Sequence, residues 1–298
     1  MKSKILFVLL SLSFFYRGSV VGQDDLLSLL GEEEETVDYA FASFKANRVI
    51  NLHSVENTSA GVLDIKISHR FGMINSGFYE LFGLDAASIR IGGDYGITDN
   101  LTVGVGRSSF QKTYDGFLKY RLLRQSSGAK VMPVTLAILS SLAVETTRWP
   151  NPARENYFSS RLFYTHQLII GRKFSEALSL QLSPTLVHRN LVETEQEAHD
   201  VFSLGAAGRI KLTKRMALNA EYIYVFPDQL APGFRNSLSI GLDIETGGHV
   251  FQLHFSNSTS MIEKGFITET TGDWGGGGVH FGFNVSRVFT IRRPDIKE

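Results

Sequence analysis

From residue 47 onward the sequence alternates apolar and polar residues over one strand-length stretch after another. In Gly61-Val-Leu-Asp-Ile-Lys-Ile-Ser-His-Arg-Phe71, the apolar Leu63, Ile65, Ile67 and Phe71 are interleaved with Asp64, Lys66, Ser68 and Arg70. Leu178, Leu180, Leu182 and Leu186 alternate in the same way with Ser179, Gln181, Ser183 and Thr185. Ser237 to Glu245 and Phe251 to Phe255 repeat the pattern. Period two is the mark of a strand with one apolar and one polar face. The one short candidate for an amphipathic helix is Leu26 to Leu30, ahead of the acidic run Glu32 to Glu35.

The alternation predicts strands over 47–57, 61–71, 86–95, 101–110, 114–124, 132–144, 157–171, 177–188, 201–211, 217–227, 236–245, 249–257 and 278–291. Their linkers alternate in length. Short ones fall at 57–60, 96–100, 125–130, 173–176, 213–215 and 246–248, and long ones at 72–85, 145–155, 189–200, 227–233 and 257–277. The link at 111–113 is the short exception. Short turns at one end and long loops at the other fit an antiparallel transmembrane β-barrel with its short end in the periplasm. A soluble sandwich has no reason to sort its loops this way. Thirteen strands would leave the two chain ends on opposite sides. Either Val37 to Lys45 supplies one more strand or one stretch has been split, so 12–14 strands are expected.

The first residues read as an export signal. Lys2 and Lys4 precede an apolar run from Ile5 to Tyr16, followed by small residues to Gly22. That run is too short to span a bilayer as a helix. The expected organisation is a signal peptide (1–22), an acidic periplasmic segment (23–46) that includes the candidate first strand, a barrel (47–291) and a polar tail (292–298). There is no cysteine, which excludes disulfides and thiolate metal sites. The 30 cations and 30 anions fall to 27 against 30 without the signal, so a nucleic-acid surface is not expected. The 22 Phe and 10 Tyr suit a wall facing lipid.

If the apolar parity meets outer-membrane lipid, the polar parity faces the lumen. That set comprises Asp64, Lys66, Arg70, Arg90, Asp94, Lys119, Arg121, Arg161, Arg209, Lys211, Glu221, Asp243 and Glu245. It would keep a channel wet for small solutes, or form an ion-pair network that plugs it. Tyr120, Tyr157, Tyr222, Tyr224, Phe226 and Phe289 are candidates for an interfacial girdle. His254 and His280 lie on consecutive predicted strands with the polar parity, and counting from the ends of the long loop places them nearly opposite each other. Such a pair could titrate or bind a metal, but two ligands do not define a site. The sequence contains no G-x-S-x-G, H-E-x-x-H or EF-hand loop, and no catalytic residue or cofactor is expected.

The stretch Asp273-Trp-Gly-Gly-Gly-Gly-Val-His-Phe-Gly-Phe-Asn-Val-Ser-Arg-Val-Phe289 resembles a phosphate loop only in its glycines. It matches neither nucleotide fingerprint, and strand alternation follows it instead of a helix. It reads as the end of a long loop feeding the closing strand. Strict parity sends Arg287 into lipid unless a bulge near Ser286 or snorkelling relieves it.

Several longer strings resemble a family. Asn51-Leu-His-Ser-Val-Glu56, Ile67-Ser-His-Arg-Phe-Gly72, Tyr114-Asp-Gly-Phe-Leu-Lys119, Ser159-Ser-Arg-Leu-Phe-Tyr-Thr-His-Gln167, Pro184-Thr-Leu-Val-His-Arg-Asn190, Glu245-Thr-Gly-Gly-His-Val-Phe-Gln-Leu-His-Phe255 and Phe266-Ile-Thr-Glu-Thr-Thr-Gly272 are similar to an outer-membrane β-barrel family of Bacteroidetes, a domain of unknown function. The resemblance implies an outer-membrane barrel and carries over no catalytic residue. It also implies insertion by the barrel-assembly machinery. The residues after Phe289 depart from the terminal aromatic common in such barrels. The expected function is passive passage of small solutes. The alternative is a closed barrel acting through its long loops, and a barrel-embedded hydrolase comes third.

Overall fold

Twelve of the alternating stretches become strands of one closed antiparallel sheet. In chain order they are β2 (Val62–Met73), β3 (Ala87–Gly96), β4 (Leu101–Ser108), β5 (Tyr114–Leu123), β7 (Thr135–Val144), β8 (Leu162–Lys173), β9 (Leu178–Arg189), β10 (Asp200–Lys211), β11 (Met216–Val225), β12 (Ser237–Thr246), β13 (His249–Ser256) and β14 (His280–Thr290). Each pairs with its neighbours in sequence, and β14 pairs with β2 to close the ring. A separate two-stranded sheet joins β1 (Val37–Tyr39) to β6 (Ser126–Gly128). The computed structural model describes residues 36–195 and 197–292, and from Val37 onward they form one unit. The predicted signal peptide (1–22), the acidic run and the tail beyond Arg292 lie outside the described residues.

The predicted strand over 47–57 is not part of the wall. Val49, Ile50, Leu52 and Val55 do not keep period two, and all four are buried, so no outward face exists for a strand to present. Removing it turns thirteen strands into twelve and brings both ends of the wall to the same side. The candidate strand at Val37 to Lys45 contributes only β1, which lies outside the barrel.

The loop sorting holds. Connections at 97–100, 174–177, 212–215 and 247–248 are short, and 124–134, which carries β6, lies at the same end. At the other end lie 74–86, 109–113, 145–161, 190–199, 226–236 and 257–279. The last contains a short helix, α1 (Glu263–Thr268).

Alternation sets the two faces of the wall. Ile91, Leu118, Ile138, Leu182, Phe202 and Ile240 point outward and are exposed, as are all six girdle aromatics. The inner face has two halves. On β12 to β14 and β2 to β4 it is polar. On β5 and β7 to β11 it also carries Phe117, Leu139, Ile169, Val187, Val201 and Ile223, all buried. The inner parity is therefore less polar than the alternation suggested. Arg287 does face outward. The register is unbroken from Gly282 to Thr290, the irregularity lying between His280 and Gly282, and the guanidinium sits 5.0 Å from the centre of the Phe289 ring near the strand end. Snorkelling, not a bulge at Ser286, resolves its parity.

Candidate functional site

The lumen is occupied. Residues 41–58 enter from the short-turn end, reverse, and return to start β2. Ser54 N–H donates to Asn47 O at 2.8 Å and Val49 N–H to Leu52 O at 2.8 Å, so the segment is a re-entrant hairpin with its tip at Val49 to Leu52. A buried backbone needs partners for every N–H and C=O. Here the inward side chains of the wall supply many of them.

Glu221 on β11 accepts the N–H groups of Ile50, Asn51 and Leu52 at 3.2, 2.9 and 3.0 Å. Gln181 on β9 accepts Val55 N–H at 3.0 Å and donates to His53 O at 2.7 Å. Lys119 on β5 donates to Ser54 O at 3.2 Å and also to Glu56 O. Arg209 on β10 donates to Ala42 O and Ser43 O, Gln252 on β13 to Val49 O, and Asn284 on β14 to Ile50 O. Arg70 on β2 holds Asn51 Oδ1 at 2.8 Å, Ser239 on β12 holds Asn51 Nδ2, Asp94 on β3 holds Asn47, and Thr102 on β4 holds Thr58 N–H. At the segment's start Lys173 on β8 donates to Phe41 O at 2.9 Å, so eleven wall strands reach the segment by hydrogen bonds. The remaining one, β7, and with it β8, meet it through an apolar cluster in which Ala137, Leu139 and Ile169 join Phe44, Val49, Leu52 and Val55. Burying one such leucine or valine contributes about 1.5–3 kcal/mol.

Two wall glycines are shaped to this filling. A Cβ on Gly171 would stand 2.5 Å from Val55 Cγ1, and one on Gly205 would stand 2.9 Å from Leu52 Cδ1. Glycine inside a strand often marks such a close approach.

The long loop 257–279 closes the opposite end by turning inward. Met261, Ile262, Phe266 and Ile267 are buried, and Phe266 and Ile267 belong to the same apolar cluster as the re-entrant segment. Lys264 Nζ bonds Glu269 at 2.7 Å and Gln111 at 2.5 Å, and lies 4.2 Å from the centre of the Phe163 ring. Trp274 Nε1 donates to Leu238 O at 3.1 Å. The two fillings meet at Glu263, whose Oε1 accepts Arg48 Nη1 at 2.8 Å and stands 3.2 Å from His53 Nε2 without hydrogen-bond geometry. Burial, and then the charge of Arg48, pushes the His53 imidazole down to about 3. Burial opposes ionisation of Glu263, but Arg48 and then His53 outweigh it and hold the carboxyl well below the usual carboxylate range.

Most of the predicted lumenal set faces inward, where it is bonded instead of lining open water. Lys66 sits between Asp94 (2.9 Å) and Asp64 (3.5 Å), and Arg90 is paired in fork fashion with Asp115. Asp243 accepts Gln252 Nε2 at 2.9 Å, and Glu245 pairs with Lys45. Arg121 and Lys211 lie near the short-turn rim, where Arg121 donates to Asn100 Oδ1 and Asp99 O. Arg161 is not in the wall. It falls in a short helical turn before β8, donates to Glu145 O at 2.8 Å and lies 3.7 Å from the Trp149 ring centre, because the strand begins only at Leu162.

His254 and His280 are not opposite each other. His254 is level with Gly282, and His280 with Ser256, because the ladder resumes later than loop counting implies. His280 is engaged with Phe71 O at 2.8 Å and Thr259 Oγ1 at 3.0 Å. Among the described residues no group of three or more metal-ligating side chains converges.

Sequence reasoning missed Arg48, Asn51, His53, Glu263 and Lys264. Two signals pointed to them. Residues 47–57 break period two, and the loop carries Met261, Ile262, Phe266 and Ile267, too apolar for a solvated connection.

A model of the family DUF5777, described as a membrane bound beta barrel domain, matches residues 44–289. The chain belongs to this family. The DUF5777 match begins at Phe44, so it takes in the re-entrant hairpin together with the wall. Similar solved structures include the NanC porin, with 8% identity over 76% of this chain and 98% of that one at a TM-score of 0.47. The COG4313 outer membrane channel from Pseudomonas putida F1 follows with 14% identity, 79% and 98% coverage, and 0.44. The outer membrane protein Omp33 of Acinetobacter baumannii has 9% identity, 76% and 97% coverage, and 0.40. No curated protein matches the chain. As a membrane-bound DUF5777 barrel, it turns its outward apolar residues to lipid.

Proposed function

We propose that the protein is an outer-membrane barrel that is closed at rest and acts through its long loops at the cell surface. Its short-turn end would face the periplasm, after export on the 1–22 signal and insertion by the barrel-assembly machinery. One observation carries this reading: the re-entrant hairpin and the inward loop meet inside the lumen through Arg48 and Glu263, with apolar packing on one side and buried ion pairs such as Lys66–Asp94 and Arg90–Asp115 on the other. A constitutive porin needs a wet path, and here the charges that would wet it serve the backbone of the filling instead.

Steady conductance in planar bilayers tests it. The folded, unaltered protein is expected to stay silent, and stepwise openings at low voltage would overturn the closed reading.

The second reading is a channel for small solutes that opens when the hairpin withdraws. It is favoured by the chemistry of the anchors, since Glu221, Lys119 and Arg209 would leave a hydrated, charged wall behind. Neither reading assigns a catalytic residue.

A further inference from the structure

At one level of the wall, four inward-facing residues stand side by side on adjacent strands. His254 on β13 is level with Gly282 on β14, Gly282 with Arg70 on β2, and Arg70 with Ser88 on β3. Three of them hold buried polar atoms with no partner: both ring nitrogens of His254, Nε of Arg70 and Oγ of Ser88. The fourth has no side chain. A Cβ on Gly282 would stand 2.6 Å from His254 Nε2 and 3.2 Å from Arg70 Nε, so these two side chains fill the space that glycine leaves.

Arg70 is fully buried and forms no ion pair among the described residues. Its Nη1 and Nη2 donate to Ser258 O and Asn51 Oδ1, both at 2.8 Å, which fixes the guanidinium and leaves Nε as its one nitrogen without a partner. Arg70 and Ser88 also line a cavity of about 330 Å³ at the long-loop end, beside Phe110, Thr259 of the inward loop and His280 at the start of β14. A buried polar group without a partner costs free energy. Two unpartnered donors on a fixed frame next to a small, partly apolar cavity call for an anionic ligand with two acceptor oxygens and a short carbon body.

We propose that Arg70, Ser88 and this cavity form a binding site for a small monocarboxylate reaching the barrel from the long-loop end. Its carboxylate lies against Arg70 and Ser88, and the carbon chain rests toward Phe110. The site goes beyond the closed-barrel reading and stands whether or not the lumen ever conducts.

Sodium butyrate is the probe, with sodium chloride at equal ionic strength as the reference. Thermal unfolding and saturation-transfer NMR of the full protein in detergent give the readout. Saturable stabilisation by butyrate beyond chloride is expected, weakened about tenfold by Ser88→Ala, which removes one hydroxyl. Arg70→Gln should abolish it, and Lys173→Gln at the opposite end should leave it unchanged. If Arg70→Gln does not fold, Ser88→Ala carries the test. No saturable effect beyond chloride, or equal binding by wild type and Ser88→Ala, would overturn the site.

Discussion

Arg48 and Glu263 lie 215 residues apart in sequence and 2.8 Å apart in the lumen, each almost wholly buried. One belongs to the hairpin that enters from the short-turn end and the other to the loop that enters from the long-loop end. Their bond joins the two.

Removing one partner of a buried ion pair strands the other, at a cost of about 3–5 kcal/mol. Arg48→Met and Glu263→Gln should each lower the urea midpoint of the detergent-folded barrel by a clear margin. The double variant should lose less than the sum of the two, since no orphaned charge remains. Strict additivity would mean that the pair is not coupled.

Acid should loosen the same junction. His53 titrates at about 3 in the folded protein against 6.5 in the unfolded chain, so between those values the unfolded chain binds a proton that the folded one does not. Its contribution is fully present above pH 6.5 and is lost as pH falls toward 3. Glu263, also depressed, contributes above its unfolded value and is lost as pH falls through its folded one. Both act in the same direction. The melting temperature should drop between pH 7.5 and 5.0, and His53→Gln should flatten that slope. An equal slope in the variant would exclude His53 as its source.

The hairpin can be locked. A Cβ on Gly171 would stand 3.4 Å from the Val55 Cβ, close to the separation that a disulfide spans, and the chain has no competing cysteine. Val55→Cys with Gly171→Cys should oxidise readily. If the barrel works closed, the oxidised form keeps its activity. If the hairpin withdraws to open a channel, any triggered conductance appears only after reduction.

Glu221 gathers three consecutive N–H groups at the hairpin tip. Glu221→Ala should leave the wall intact, because its strand pairing is backbone to backbone. It should speed amide exchange at residues 50–52 by one to two orders of magnitude, on the basis of about 1.5–3 kcal/mol for a hydrogen bond to a charged group. Protection equal to wild type would show that other contacts hold the tip.

The wall was readable because period two survives wherever one face meets lipid and the other does not. Leu178 to Leu186 could be placed residue by residue. The filling was not readable, since residues buried on every side obey no period. Asn47 to Val55 therefore resembled a poor strand. The inner parity of β8 and β9 misled in another way: Ile169 and Val187 are apolar inside because they pack on the hairpin, which alternation cannot show. Arg161 went astray through an uncertain strand boundary, the least reliable part of any such reading.

The ring closes where β14 finds β2, a union of residues more than two hundred positions apart. Both seam strands also grip the hairpin tip, β14 through Asn284 on Ile50 O and β2 through Arg70 on Asn51. Long-range pairing is the slow part of building a sheet, because its entropy is lost before its contacts form. A tip already seated offers both edges a common landmark. The stopper is thereby also a clasp: its neighbouring residues Ile50 and Asn51 are bonded one to each edge of the seam, so the closure is held from inside as well as along the ladder.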